Sequence, residues 1–339
     1  MSTAQQPEVV VVTGAAGGLG RAIAQAFGKR GAHVGLIARG GAGMDGLEGA
    51  KRDVESLGGK ALILPADVAN ADEVEAAAER AERELGPIDV WVNDAMATIF
   101  APFKEVTPDE FKRATEVTYL GQVYGTMSAL KRMLPRDRGH IVQVGSALAY
   151  RSIPLQAAYC GAKAGIRGFT DSLRCELIHD RSRVRLCMVQ MPALNTPQFN
   201  WCRTKLPRHP QPVPPIFQPE VGAEAVYWAA HHNRREVYVG LSTLQAVIGN
   251  MAIPGLLDFY LARTGYNGQQ TAQPVAKDRP DNLYEPVSGD HGPHGIFDDK
   301  AREASPELWL ATHERELVLG ALGVGVAGAA AALLRRVPR

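Results

Sequence analysis

The chain has 339 residues, 45% of them hydrophobic, with 37 Lys+Arg against 36 Asp+Glu. That length and apolar content fit one large domain with an appendage, or two domains, and exclude wholesale disorder. A net charge of +1 leaves no electrostatic footprint for nucleic acid. The charge is uneven: residues 317–339 hold Arg335, Arg336 and Arg339 and no acid, so the +1 divides into +3 on the tail and −2 on residues 1–316. Cys160, Cys175, Cys187 and Cys202 form no C-x-x-C pair, and the opening MSTAQQPE lacks a basic segment followed by an apolar run. Free thiols in a reducing, cytoplasmic setting are expected.

In chain order, strand-like and helix-like segments alternate. Glu8–Thr13 is an apolar run typical of a strand covered on both faces. Leu19–Arg30 has helical spacing and stops at Gly31. Strands follow at His33–Ile37, Ala61–Leu64, Asp89–Asn93, His140–Gly145 and Val184–Val189, and helices at Asp45–Leu57, Ala71–Leu85, Pro108–Met133 and Leu155–His179. This alternation predicts an α/β fold, a doubly wound parallel sheet of Rossmann type. Residues 192–219 hold eight prolines and exclude a regular helix or a central strand. A helix at Glu220–His232, a strand at Val237–Val239 and a helix at Thr243–Arg263, broken near Pro254-Gly255, complete a catalytic domain expected over 1–264. Residues 265–316 read as an irregular extension, and 317–339 as an apolar tail with terminal arginines.

The first strand-to-helix turn reads Thr13-Gly14-Ala15-Ala16-Gly17-Gly18-Leu19-Gly20. Glycines there permit a tight turn and close approach to a pyrophosphate, which the helix N-terminus attracts. At the end of the second strand, Ala38 stands where an acid would bind a ribose 2′-hydroxyl, and Arg39 follows. An arginine suits a 2′-phosphate, so NADP is favoured over NAD, although a solvent-exposed loop arginine is the plain alternative. Asp67, before Val68, can accept from an adenine amino group or cap the next helix. Ser146 closes the fifth strand, and Tyr159 and Lys163 share one face of the helix after it. A tyrosine near pKa ~10 is a poor base at neutral pH. A neighbouring ammonium favours its phenolate. With a serine to hold an oxygen, these groups can move a proton while a hydride goes to or from a nicotinamide.

From about Glu8 to about Gly240 the chain resembles the short-chain dehydrogenase/reductase family. The carriers are the TGAAGGLG turn, Asp67-Val68, the VNDA segment, Ser146, Tyr159-Cys-Gly-Ala-Lys163 and Pro192…Thr196. The resemblance implies that Tyr159 is the general acid/base, that Lys163 lowers its pKa and holds the nicotinamide ribose, and that Ser146 orients the substrate. It places Gly14, Gly18, Leu19, Gly20, Asn93, Ala95, Pro192 and Thr196 at the cofactor. It also places Thr118 where the family carries a catalytic Asn that supports a relay water. The family's N-N-A-G is here Asn93-Asp94-Ala95-Met96, so Met96 narrows the pocket and Asp94 adds a carboxyl without an evident partner. Homo-oligomerisation is a family expectation as well.

The implied activity is NADP-dependent interconversion of a small-molecule secondary alcohol and a ketone. An epimerase or dehydratase on the same fold, and a non-catalytic nucleotide-sensing or membrane scaffold, are the alternatives. Phe199, Trp201 and Phe217 line the substrate or anchor their loop. Asp290, His291 and His294 are too sparse a set for a metal, and none is expected. One step of helix turns Cys160 away from Tyr159's face. Leu317–Leu334 is eighteen residues without a charge. A membrane anchor, a helix packed on another subunit and a loose tail are its three readings.

Overall fold

A computed structural model describes residues 6–276 and 278–313; the apolar stretch 317–334 and its arginines lie outside the described residues. Seven strands form the central sheet: β1 Val9–Thr13, β2 His33–Ala38, β3 Lys60–Pro65, β4 Val90–Asn93, β5 His140–Ser146, β6 Arg185–Met191 and β7 Glu236–Tyr238. Their spatial order is β7-β6-β5-β4-β1-β2-β3, parallel throughout. The strand β1 shows why its apolar run is unbroken. Val10 and Val12 face one core and Val9 and Val11 the other, so both sets of alternating side chains are buried.

The first core packs helices α1 (Gly18–Gly28), α2 (Met44–Ser56) and α7 (Pro219–His231) on one face, through Ile23, Phe27, Leu47 and Val226. The second packs α3 (Ala71–Leu85), α4 (Pro108–Thr115), α5 (Gly121–Met133) and α6 (Ala157–His179) on the other, through Val74, Ala114, Met133 and Leu177. Strand order, not chain direction, reverses between β1 and β4, which opens a crevice beyond the carboxyl ends of the strands.

Three segments depart from the expectation. The single helix expected over 108–133 is interrupted by a π-helical turn at Glu116–Leu120, between α4 and α5. The proline-rich stretch contains short strands: Ala193–Leu194 pairs with Ile216–Phe217, Arg203–Thr204 with Ile99–Phe100, and Arg208–Pro210 with Gln270–Pro274. After α8 (Leu241–Ala252), α9 (Pro254–Gly268) carries the chain past 264, so the expected domain boundary falls inside a helix. The extension then packs back on the body, with Arg279 donating to the carbonyls of Phe199, Asn200 and Cys202. No helix among the described residues is long and apolar enough to cross a membrane.

Glu110 joins α4 to the proline-rich segment. It completes a capping box with Thr107, and it binds Arg203 Nε at 3.0 Å and Lys205 Nζ at 2.7 Å. Burial would raise its carboxyl, but the bonds from Lys205, the Thr107 N–H and Arg203 reverse this and bring it down to about 2. A depressed carboxylate stabilises the fold above its unfolded value, and that contribution is lost as pH falls through about 2. Glu110→Ala is therefore expected to cost about 1–2 kcal/mol at neutral pH, since Arg203 keeps Asp281 and Lys205 is partly exposed. The loss should shrink in urea melts repeated at progressively lower pH.

Candidate active site

Beyond the ends of β1, β4 and β5 lies a cavity of about 600 Å³, lined at one end by Arg39 and Asp67 and at the other by Ser146, Tyr159 and Phe199. Its floor is the glycine turn. Gly14 (φ +77°) and Gly18 (φ +56°) adopt left-handed backbone, and a Cβ on Gly14 would meet Ala95 Cα at 2.9 Å. Side chains therefore do not fit where the turn approaches the β4 loop. Thr13 secures that approach, its hydroxyl accepting from the N–H groups of Asp94 (3.0 Å) and Ala95 (3.1 Å). Gly17 precedes α1 without a capping side chain, so the first N–H groups of α1 sit at the positive end of the helix dipole. Leu19, Ala95, Pro192 and Thr196 line the same space, whereas Gly20 acts behind it by giving its N–H to Asp94.

At the far end, Arg39 donates to the carbonyls of Asn282 and Tyr284, each at 2.7 Å. Two of its five N–H donors are engaged there. Burial lowers its pKa, and Asp67 opposes the shift. The Asp67 carboxylate accepts from Arg113 at 2.5 Å and from the Ala69 N–H at 3.0 Å. It does not cap α3. Asn70 does, accepting from Asp72 and Glu73. Val68 lines the cavity beside Asp67.

At the near end, the Ser146 hydroxyl lies beside the Tyr159 phenol and accepts from the Leu148 N–H at 3.1 Å. Desolvation pushes the phenol up, and the neighbouring Ser146 hydroxyl only partly opposes it. Lys163 is 1% exposed, donates to the Val144 carbonyl at 2.6 Å and lies 5.5 Å from the Tyr159 ring centroid. Desolvation lowers its pKa, and Asp94 works against that. Asp94, whose partner the sequence left open, is raised by desolvation and held back by Lys163 and by the Gly20 N–H. A carboxyl from the β4 loop thus answers the ammonium from α6.

Besides Gly20, two more expected site residues lie outside the cavity lining. Thr118 spends its hydroxyl proton on the Ala97 carbonyl at 2.7 Å and accepts from the Ala97 N–H at 2.9 Å. It is fully buried and anchors the loop after β4, so it does not stand in for a water-holding Asn. Asn93 is likewise enclosed, accepting from Trp91 Nε1 and donating to Thr126 and Gln143. Its role is to tie β4 to α5 and β5. Met96, Phe199 and Trp201 line the cavity, whereas Phe217 belongs to the core. Cys160 faces the Ile153 carbonyl, and burial pushes its thiol up, away from reactivity.

The Asp290, His291 and His294 group is dispersed. His294 bonds Glu220 (2.8 Å) and Asp298 (3.2 Å), while His291 bonds the Ser288 carbonyl (2.9 Å). Among the described residues, no group of three or more His, Cys, Asp or Glu could hold a metal ion. Gln211–Pro215 of the proline-rich segment, Tyr260 and residues of the 282–291 segment line the cavity as well, and of these Tyr260 is the wall that the sequence reading missed.

A reversed parallel sheet, a glycine cradle under a helix N-terminus and a Ser-Tyr-Lys end wall define a Rossmann-type oxidoreductase that works with a dinucleotide. The residues fit such a cofactor. A Cβ would fill the cradle at Gly14, and Lys163 has ammonium donors beyond the one that Val144 takes. A family model for short chain dehydrogenase matches residues 8–205. The chain belongs to the short-chain dehydrogenase/reductase family and is an NAD(P)-dependent enzyme of that family. It is similar to the uncharacterised oxidoreductase YxnA of Bacillus subtilis (strain 168), 29% identical over 327 residues, 96% of this chain and 90% of that protein. It is also similar to 3-dehydrosphinganine reductase of Danio rerio, 34% identical over 195 residues, 56% of this chain and 57% of that one. A crystal structure of a metagenomic short-chain oxidoreductase in complex with NADP matches at TM-score 0.57 and 27% identity, covering 68% of this chain and 96% of that chain.

Proposed function

We propose that the enzyme interconverts a secondary alcohol and a ketone with NADP, with Tyr159 as general acid/base. The observation that carries this reading is one cavity that begins at Arg39 and ends at Ser146 and Tyr159 beside Lys163. NADP, when bound, supplies or accepts a hydride at its nicotinamide. Ser146 holds the substrate oxygen. Tyr159 gives that oxygen a proton in reduction and removes it in oxidation. Desolvation keeps the phenol protonated, the form that reduction requires. Lys163 supplies the charge that favours the phenolate in the reverse direction.

The near end is walled by Phe100, Leu148, Ile153, Phe199 and Val213, which suits a ketone with apolar substituents. The relative described as a 3-dehydrosphinganine reductase supports a ketone-reducing reading. Two further parts of this proposal are membrane contact through 317–334, which rests on the sequence, and homo-oligomerisation, which rests on the family resemblance. The test is a panel of apolar ketones with NADPH, followed by loss of absorbance at about 340 nm. Turnover on the panel supports the reading, and cofactor binding without any turnover contradicts it.

The cofactor choice has its own test. Arg39 lies at the adenosine end with donors to spare, and a charge-assisted bond to a phosphate contributes about 1.5–3 kcal/mol. Arg39→Ala also frees the carbonyls of Asn282 and Tyr284, which affects either cofactor. The ratio isolates the 2′-phosphate. The Kd for NADP is expected to rise about tenfold relative to that for NAD, measured by titrating both cofactors on both proteins.

A further inference from the structure

The C-terminal extension contains a segment that crosses the cofactor cleft between two fixed points. On the upstream side, Asp281 pairs with Arg203 at 2.7 Å, and Leu283 is fully buried in the second core with its carbonyl on Arg113 Nε at 3.1 Å. On the downstream side, the Gly295 N–H reaches the Asn195 carbonyl at 3.1 Å, and the Phe297 N–H reaches Asn195 Oδ1 at 3.0 Å. Phe297 is buried edge-on against Phe199. Residues 285–292 between these anchors have no helix or strand of their own.

Three contacts aim this span at the cofactor site rather than at bulk surface. Asn282 and Tyr284 offer their carbonyls to Arg39, the residue assigned to the adenosine end. Asn282, Pro286, Val287, Gly289 and His291 line the cavity itself. The Gly292 carbonyl accepts from the Gly18 N–H at 3.0 Å, at the α1 N-terminus where a pyrophosphate is expected. One side chain fastens the span to the helices. Asp290 pairs with Arg21, itself 5% exposed and also bound to Asp53 at 2.7 Å, and with Arg52 at 3.3 Å. Gly49 of α2 is pressed against the same carboxylate, where a Cβ would collide with it.

We infer that residues 282–292 form a strap that is part of the dinucleotide site, with the Asp290–Arg21–Arg52 cluster as its latch. The Gly18 N–H cannot serve both the Gly292 carbonyl and a phosphate oxygen. Binding therefore exchanges one acceptor for the other while the latch keeps the strap over the adenosine half. Leaving requires the latch to open, so the strap sets how long the dinucleotide stays. This inference rests on the dinucleotide lying in this cleft.

The experiment uses the full chain, NADPH and its fluorescence in a stopped-flow instrument, with NADPH displaced by excess NADP. In Asp290→Asn the dissociation rate constant is expected to rise about tenfold or more, with the association rate constant within about threefold of the parent. Arg52→Ala, at an exposed position, is expected to give a smaller rise in the same direction, which protects the test if Asp290→Asn folds poorly. Unchanged dissociation in a folded Asp290→Asn protein overturns the strap. So does an equal fall in association accompanied by a lowered Tm, which would mark Asp290 as merely structural. If the parent chain does not bind NADPH, the assignment of the cleft fails first, and the strap fails with it.

Discussion

Tyr159→Phe is expected to lower kcat by about 10²–10⁴-fold, the usual share of a positioned acid/base group, while the Kd for NADPH stays within about twofold. The ring remains, so the cavity wall and the packing beside Lys163 are kept. Only the hydroxyl is lost, the group proposed to donate the proton. Steady-state kinetics on a ketone found active in the panel, together with a cofactor titration, separates the two effects. Turnover near the parent value would assign the proton to another group. A parallel loss of NADPH binding would show that the phenol holds the cofactor rather than the substrate oxygen.

Lys163→Met carries the second large effect. Lys163 lies almost wholly out of solvent, with desolvation lowering its pKa and Asp94 raising it, and in the proposed mechanism its charge favours phenolate at Tyr159. Removing it leaves the Asp94 carboxyl enclosed without a counter-charge. That carboxyl, already raised by desolvation, then takes up a proton rather than unfolding the protein. We expect kcat/KM to fall by about 10²–10³-fold, or roughly 3–4 kcal/mol of transition-state stabilisation. The pH dependence follows in sign. Desolvation depresses the lysine, so its ammonium form is lost at a lower pH than for an exposed lysine. The parent enzyme should lose activity as pH rises through that depressed value. The residual activity of Lys163→Met should lack this alkaline limb. Pair titrations are macroscopic, so the two profiles are compared whole rather than assigned to one group. A variant within threefold of the parent at every pH would remove the lysine from the reaction.

The sheet and the Ser-Tyr-Lys end of the cavity were legible because each leaves a local signature. The run Val9–Thr13 has no polar position since both of its faces are covered, and Tyr159 and Lys163 are one helical turn apart. What escaped depends on contacts that spacing does not record. Thr118 sits at the position a catalytic Asn would occupy, yet it lies in a π-helical turn and the Ala97 backbone engages its hydroxyl. Asp94 and Lys163 influence each other's charge only because the fold brings the β4 loop and α6 to one cavity, 69 residues apart in the chain. The extension gave no periodicity because arginine-to-carbonyl bonds hold it, from Arg39, Arg113 and Arg279, and not an amphipathic face. Its many glycines and prolines suggested an irregular appendage, whereas the folded chain uses it as a wall of the cofactor cleft.

The most direct measurement is the fate of the hydride. NADPH deuterated at the nicotinamide C4 is supplied with a ketone active in the panel, and the alcohol formed is analysed by mass spectrometry and NMR. The account predicts one deuterium on the carbinol carbon for each NADPH consumed, lost in Tyr159→Phe together with the turnover. Product formed with the label retained on the cofactor and no net oxidation would contradict it, and would point to an epimerase or dehydratase instead.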